Sequence, residues 1–232
     1  MILCIESATG VCSVALCDQS GTIAIKESGD ERAHSKLLAT FVNDILNDAG
    51  SRASQLDAVV VSRGPGSYTG LRIGVSLAKG LAYGGAVPMI AVDTLLSMYH
   101  TLIEKHTEYA AVAATTHFCP MIDARRMEVY YSVIGSSGDV VSEAAAAVID
   151  RDSFAALLSR GEVIFFGNGA SKCREVLDHP NARFVDGLHP SADGMRIPAL
   201  EALAEKRFAD VAYFEPYYLK DFLATIPKKM VL

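Results

Sequence analysis

The order of strand-like and helix-like segments is the feature that most limits how this chain can fold. Three short apolar segments separated by turn sequences open the chain and predict an antiparallel meander of strands. A helical pattern follows, and two further pairs of strand and helix complete the order β-β-β-α-β-α-β-α near residue 105. This order predicts an α/β fold. The strands are expected at 2–5, 11–16, 22–26, 58–62 and 89–92, and the helices at 34–49, 68–83 and 94–104.

The second half of the chain partly repeats this order. Residues 120–133 read as a strand, an acidic turn and a strand, like the start of the chain. Two lobes, 1–105 and 106–232, are therefore predicted, and the repetition indicates an ancient duplication. Further elements are expected as helices near 153–160, 171–177 and 198–208, and as a strand at 163–166.

Composition limits the kinds of function that the chain can perform alone. Half of the 232 residues are hydrophobic, which is enough for a large core. The formal net charge is −6, and Lys and Arg form no basic cluster. Because proteins that grip nucleic acid unaided usually carry a basic face, any role with nucleic acid is expected to be exercised through a partner.

Cysteine usage and the apolar stretches predict a cytoplasmic protein. The five cysteines are odd in number and form no CxxC pair, so reduced core thiols are favoured over disulfides or zinc. The first residues are strand-like without a basic leader, so we expect no signal peptide. The apolar stretch 73–92 contains Lys79 and Pro88, which favours a buried helix and strand over a membrane span.

The run RGPGSYTGLRIG, residues 63–74, joins a predicted strand to a predicted helix. Such a turn aims backbone N–H groups at one point and suits an anion, although a tight connection that needs glycine explains it as well. It lacks the spacing of a Walker loop and of a dinucleotide-binding loop. A second Gly-Asn-Gly turn starts at residue 167. The candidate anion- or nucleotide-contacting residues are Gly64, Gly66, Ser67, Gly167 and Gly169.

Several motifs together resemble the bacterial TsaB (YeaZ) family. They are IESATG at 5–10, RGPGSYTGLRIG at 63–74, SLAKGLA at 76–82, IDARRMEVYY at 122–131 and PYYLK at 216–220. Within the family the first turn often carries Asp where Glu6 stands here. The resemblance implies an actin-like, ribonuclease H-like fold of two lobes. It also implies a non-catalytic scaffold of the machinery that makes threonylcarbamoyladenosine in tRNA.

The resemblance further implies partners. We expect binding to a TsaD-like catalytic subunit and to the TsaE-like ATPase of the same complex, a homodimer when the chain is alone, and only indirect contact with tRNA. In TsaD-like relatives two histidines four residues apart hold a metal, and their places here correspond to Thr94 and Met98. A hydroxyl and a thioether are poor substitutes for two imidazoles. No metal, no cofactor and no catalytic residue is therefore expected.

Two enzymatic alternatives remain open at this point. One is an actin-like ATPase or sugar-kinase relative, in which Asp123 would be essential. The other is a glycoprotease-like metallopeptidase, although the six histidines form no HxxxH or HExxH pair. A serine enzyme is disfavoured because no histidine is marked by the sequence as the partner of Ser67. Glu6 and Asp123 are favoured as structural residues of the two hairpins.

The first two predicted helices carry the expected contact surface. Small residues at Gly70, Gly74, Ala78 and Ala82 recur every fourth position, which lets another helix approach closely, and packing on the chain's own sheet explains about half of them. The apolar stripe of the first helix is wider than one partner requires. The resemblance implies that these helices meet their counterparts in TsaD or in a second copy. The predicted interface comprises Leu38, Phe41, Val42, Ile45, Gly70, Leu71, Gly74, Val75 and Ala78.

Overall fold

A computed structural model describes residues 1–30 and 34–220 of the chain. It contains two five-stranded sheets and five α-helices in this range. The strands are β1 Ile2–Glu6, β2 Cys12–Cys17, β3 Thr22–Ser28, β4 Ala58–Gly64, β5 Met89–Asp93, β6 His117–Asp123, β7 Glu128–Gly135, β8 Val140–Val148, β9 Val163–Phe166 and β10 Ala182–Val185. The helices are α1 His34–Asp48, α2 Tyr68–Gly85, α3 Thr94–Lys105, α4 Ala155–Leu158 and α5 Arg196–Ala204.

The first sheet has the strand order β3-β2-β1-β4-β5. Its first three strands form the predicted antiparallel meander, whereas β4 and β5 run parallel to β1 because a helix separates each from the strand before it. Leu3 and Ile5 of β1 face the side that α1 and α2 cover, while Ile2 and Cys4 face the side that α5 covers. The central strand is thus buried on both faces, as its continuous apolar sequence indicates.

The second sheet has the order β10-β9-β6-β7-β8, and α3 connects the two sheets. Leu95, Met98 and Leu102 of α3 pack with Phe118 and Ile134 of the second sheet. The same helix also contacts β4 and β5. The α/β class predicted from the order of elements is confirmed.

The structure corrects several predictions for the second half. The strands β8 and β10 were not predicted, and the helix expected at 153–160 is limited to α4. Only a short 3-10 turn, Ser171–Cys173, stands where a helix was expected at 171–177. The last helix ends before residue 208 because Lys206 takes a left-handed conformation with φ of 57° and the Arg207 N–H donates to the Ala202 carbonyl at 2.8 Å.

The last helix also returns to the first sheet. Ala199 and Ala202 of α5 pack with Met195 against Ile2 and Val60. Residues 209–214 then contribute side chains to the cluster on the other face of that sheet. The division into two lobes at residue 105 stays a prediction. The packing shows that part of the predicted second lobe lies on the first sheet.

Candidate functional site

A surface groove runs between α1 and α2, which lie side by side on the first sheet. It has a volume of about 480 Å³. Leu38, Ile73 and Leu77 supply apolar side chains, while Ala39 and Ser76 are exposed and small. A groove of this composition can accept an apolar side chain or a helix of another molecule. Its lining also includes Ser35, Tyr68, Thr69 and Arg72.

The structure corrects which side chains of these two helices reach the surface. Leu38 and Ile45 are each 1% exposed, and Val42 is 4% exposed, because all three pack onto the first sheet. Phe41 is half-buried against the same cluster. The wide apolar stripe therefore serves the chain's own core, and of the predicted set Leu38 alone lines the groove. The buried members of the predicted interface are Leu38, Val42, Ile45, Gly70, Leu71, Gly74, Val75 and Ala78.

The first half of the small-residue ladder is explained by a close contact inside the chain. A Cβ at Gly70 would lie 2.1 Å from the Ser7 carbonyl oxygen, and a Cβ at Gly74 would lie 2.2 Å from the Ser7 Oγ. At Gly66 it would lie 2.3 Å from the Ala8 carbonyl oxygen. The helix thus packs directly on the β1–β2 turn, and only glycine permits that distance.

The second half of α2 is different. A Cβ at Gly80 or at Gly84 would meet no atom of residues 1–30 and 34–220 within 4 Å, so these glycines face open space in the described part of the chain. The neighbouring Tyr83 is 85% exposed. The interface predicted from the sequence lies on the core side of the helices, and that prediction did not include the groove-lining residues Ala39, Ile73, Ser76 and Leu77 beside it. Helical periodicity could have found these positions, because they border the buried stripe on one side.

A larger cleft of about 1010 Å³ opens between the two hairpin turns. Thr9 and Gly10 line it from the first sheet, and Asp123 and Arg125 line it from the second. The segment 217–220 crosses this cleft. The Tyr217 N–H donates to the Arg63 carbonyl at 2.7 Å, while the Lys220 ammonium pairs with Glu128 on β7, and Tyr218 lies against Tyr68 at 4.9 Å between ring centroids.

The candidate anion-contacting residues are divided by the structure. Gly66 and Ser67 line the cleft, and the Ser67 hydroxyl caps α2 by accepting the Gly70 N–H at 3.2 Å. The other three do not line the cleft, and like Gly66 they lie against backbone. A Cβ at Gly64 would lie 2.6 Å from the Tyr217 carbonyl oxygen, one at Gly167 would lie 2.3 Å from the Met121 carbonyl oxygen, and one at Gly169 would lie 2.8 Å from the Ile122 carbonyl carbon. Anion binding at this turn stays a prediction.

Thr94 and Met98 lie on one face of α3 and are fully buried. Met98 packs on the turn at Gly167, where a Cβ would come within 2.4 Å of the Met98 Cε. Within residues 1–30 and 34–220, no three His, Cys, Asp or Glu side chains are placed to hold a metal ion. The five cysteines are free thiols in the interior, as the sequence predicted.

Glu6 is a buried carboxyl at the end of β1. It is 0% exposed, its Oε1 accepts the Ala8 N–H at 2.6 Å, and its Oε2 has no hydrogen-bond partner among the described residues. Burial raises the pKa of Glu6 from 4.5 to about 7, although the hydrogen bond from the Ala8 N–H opposes the shift. Burial also raises the pKa of Asp93, whose carboxylate caps α3 by accepting two backbone N–H groups.

Comparison with known proteins relates this arrangement to a family. A family model described as TsaD, tRNA N6-adenosine threonylcarbamoyltransferase, matches residues 28–228. The tRNA threonylcarbamoyladenosine biosynthesis protein TsaB of Escherichia coli strain K12 is 33% identical over 229 residues, which is 96% of each chain. TsaB of Haemophilus influenzae is 37% identical over 133 residues, which is 57% of this chain and 53% of that protein. The solved structure of YeaZ from Pseudomonas aeruginosa matches with a TM-score of 0.78 at 26% identity, covering 94% of this chain and 99% of that one.

These matches and the two helix-flanked sheets define an α/β protein of the actin-like, ribonuclease H-like fold. The predicted fold is thereby confirmed. The chain belongs to the TsaB (YeaZ) family and takes part in the biosynthesis of threonylcarbamoyladenosine in tRNA. No helix in the described part of the chain combines the length and apolar character that crossing a membrane requires.

Proposed function

We propose that this chain is a non-catalytic subunit that binds a TsaD-like catalytic subunit through the groove between α1 and α2. The observation that carries the proposal is the groove itself. Ile73 and Leu77 present apolar surface there, and the small Ala39 and Ser76 beside them permit a helix to approach. The proposal therefore keeps the two helices named from the sequence and moves the contact to their outer side chains.

The open glycines of α2 support the same surface. Glycine in an exposed helix interior is about 1 kcal/mol less favourable than alanine. Neither Gly80 nor Gly84 is needed for packing against any residue that the structure describes. A helix from another subunit that lies close to this face would account for both. A second copy of the chain can use the same surface when the catalytic subunit is absent.

As a scaffold subunit, this chain would have no active site of its own. Thr94 and Met98 are buried where the catalytic relatives carry metal-binding histidines, and Met98 is engaged in packing. In the proposed complex the TsaD-like subunit carries the chemistry, the TsaE-like ATPase joins the same assembly, and tRNA is bound through these partners in the cytoplasm. The isolated chain should then show neither stoichiometric metal nor steady ATP turnover.

A charge placed in the groove tests the docking surface. Ala39→Glu and Ser76→Glu change exposed residues, so the chain should stay folded, while association with the purified TsaD-like subunit should weaken at least about thirtyfold because an unpaired charge is buried. Ser159→Glu adds the same charge at an exposed position on α4's C-terminal side and serves as the control. Calorimetric titration and co-elution measure the effect. Equal affinity of all three variants and the unmodified chain would refute the groove as the binding surface.

The enzymatic alternative has its own outcome. Asp123 is exposed and pairs with the Lys172 ammonium. If the chain were an actin-like ATPase, the isolated protein would hydrolyse ATP with Mg²⁺, and Asp123→Ala would abolish that activity. We expect no turnover above buffer from either protein. Turnover that disappears on Asp123→Ala would replace the scaffold proposal.

A further inference from the structure

The groove between α1 and α2 carries one charged side chain in a lining that is otherwise apolar or small. Of the nine described residues that line it, Arg72 alone is charged, and none is Asp or Glu. The groove is therefore locally positive, although the chain as a whole has a net charge of −6. This contrast raises the question of what the Arg72 guanidinium meets when another molecule covers the groove.

The Arg72 guanidinium is held at the rim of the groove by the tyrosine one turn before it on α2. Its Nη1 donates to the Tyr68 hydroxyl at 3.0 Å, and its central carbon lies 5.3 Å from the centre of the Tyr68 ring. The Tyr68 ring in turn lies 4.9 Å from the ring of Tyr218. An approaching molecule thus meets a guanidinium that is already ordered, which lowers the entropy cost of binding it.

No carboxylate among the described residues neutralises Arg72. Five other arginines in that part of the chain each have a carboxylate oxygen within 4.0 Å of a guanidinium nitrogen. None of the described carboxylates lies that close to Arg72, whose one hydrogen bond there goes to the Tyr68 hydroxyl. The remaining N–H groups of this exposed side chain are available to an acceptor on another molecule.

A molecule that docks in the groove would take water away from Arg72. In the free chain this charge is exposed and solvated. The apolar Ile73 lies beside it, and Leu77 follows one turn further along α2, so a helix that covers these two side chains also covers the rim at Arg72. Because burial of an unpaired charge strongly opposes binding, a tightly bound partner has to supply an acceptor for the guanidinium.

We propose that Arg72 pairs with a carboxylate of the TsaD-like subunit and thereby selects that subunit over a second copy of this chain. The inference rests on the docking groove of the proposed function. A carboxylate fits best because it matches both the charge and the planar fork of the guanidinium. A second copy that docks through the same groove about a two-fold axis brings one Arg72 toward the other, and the described lining of the groove holds no carboxylate to pair with either.

Removal of this charge should affect the two associations differently. Arg72→Gln should weaken binding of the TsaD-like subunit at least about tenfold, because the carboxylate of that subunit is then buried without a counter-charge. Arg160→Gln removes the same charge at an exposed position after α4 and is the control. Calorimetric titration measures this affinity, and sedimentation of the isolated chain should show self-association of Arg72→Gln at least as tight as that of Arg160→Gln. Equal weakening of both associations by Arg72→Gln would overturn the proposal, because Arg72 would then only maintain the shape of the groove.

An exchange of charges between the two subunits identifies the carboxylate. Arg72→Glu should bind the unmodified TsaD-like subunit at least about a hundredfold more weakly, since two carboxylates then meet. The exposed Asp and Glu residues of that subunit are replaced by Lys one at a time, and each variant is titrated with the Arg72→Glu chain. One replacement should restore at least about tenfold in affinity, and it should not improve binding of the control Arg160→Glu. If no replacement restores binding, Arg72 does not pair with a carboxylate and the proposal fails.

The same titrations separate this inference from the proposed function. If Ala39→Glu weakens binding while Arg72→Gln binds like Arg160→Gln, the groove stands as the docking surface and selection by Arg72 is refuted. If Ala39→Glu binds like the unmodified chain, the groove and the inference both fail. A phosphate of RNA is the competing acceptor for the guanidinium, and an unmodified tRNA transcript tests it. Binding of this transcript by the isolated chain that Arg72→Gln reduces and Arg160→Gln leaves unchanged would also overturn the proposal.

Discussion

The carboxyl of Glu6 makes the stability of this chain depend on pH in a direction that can be measured. It is fully buried, one oxygen accepts a backbone N–H, and the other oxygen has no hydrogen-bond partner within the part of the chain that the structure describes, so the protonated form suits the site. Burial accordingly raises its pKa from 4.5 to about 7. Asp93 lies near enough to raise the value further, while the Arg63 guanidinium is 3.6 Å from the Asp93 carboxylate.

The size and sign of the effect follow from linkage. Between pH 4.5 and 7 the folded chain keeps the Glu6 proton and the unfolded chain has lost it. The unfolded state therefore binds fewer protons, and the free energy of unfolding falls as the pH rises through this window. At about 1.4 kcal/mol for each tenfold change in the proton equilibrium, the loss amounts to about 3 kcal/mol. Below pH 4.5 the contribution of Glu6 is fully present.

Glu6→Gln keeps the shape of the side chain and cannot ionise. The stability of this variant relative to the unmodified chain should rise by about 3 kcal/mol between pH 4.5 and 7.5. Urea unfolding at four pH values in that range, followed by circular dichroism, measures the difference. A difference that stays constant to within about 1 kcal/mol would refute the buried, protonated carboxyl.

His100 provides a control of opposite sign. Burial and the nearby Arg196 lower its pKa from 6.5 to about 4, so the unfolded chain binds more protons in that window and stability falls as the pH falls. Relative to the unmodified chain, His100→Gln should therefore gain stability toward low pH, whereas Glu6→Gln gains toward high pH. For each variant, the difference in stability from the unmodified chain is plotted against pH. The two plots should slope in opposite directions, which distinguishes the effect of Glu6 from that of His100.

The remaining predictions concern α1 and α2. Gly70→Ala should lower the free energy of unfolding by about 2 kcal/mol or more, because its Cβ would lie 2.1 Å from a backbone oxygen. Gly80→Ala should raise the free energy of unfolding by up to about 1 kcal/mol, because the position is open and alanine favours the helix. If Gly80→Ala lowered it as much as Gly70→Ala does, the two glycines would not lie in different environments. Val42→Glu should lower it by about 3 kcal/mol or more, since Val42 is 4% exposed and the charge would be buried unpaired. Thermal denaturation compares this variant with the groove variant Ala39→Glu, and a well-folded Val42→Glu chain would contradict the burial of that face.

The first half of the fold could be predicted from the sequence because its local signals agree with one another. The meander, α1, α2 and α3 all have clear periodicity, and glycine or a capping residue marks their ends. The strand β8 escaped because its alanine run has no alternation of apolar and polar residues. The short helix α4 was overestimated because Phe154 precedes it with φ of 62°, a conformation that sequence periodicity does not reveal.

The candidate site was harder to predict than the fold because burial depends on tertiary packing. The stripe containing Leu38, Val42 and Ile45 looks the same in the sequence whether it meets the chain's own sheet or another protein. The structure assigns it to the sheet, since the first sheet offers a complete apolar face to both helices. The docking surface that we propose is the narrow border of that stripe, at Ala39, Ile73 and their neighbours.

The glycines of the run 63–74 show that packing inside the fold can by itself require a family motif. Gly66, Gly70 and Gly74 lie against Ser7 and Ala8 so closely that no other residue type fits. At Gly66 and Gly70 this requirement comes from the backbone path of the fold, because the close atoms are carbonyl oxygens, whereas at Gly74 it comes from the Ser7 side chain. Residues of the groove need only be small or apolar, and many residue types satisfy that condition. The fold therefore leaves a sharper pattern in the sequence than the proposed docking surface does, and that surface is inferred from the exposure of side chains in the structure.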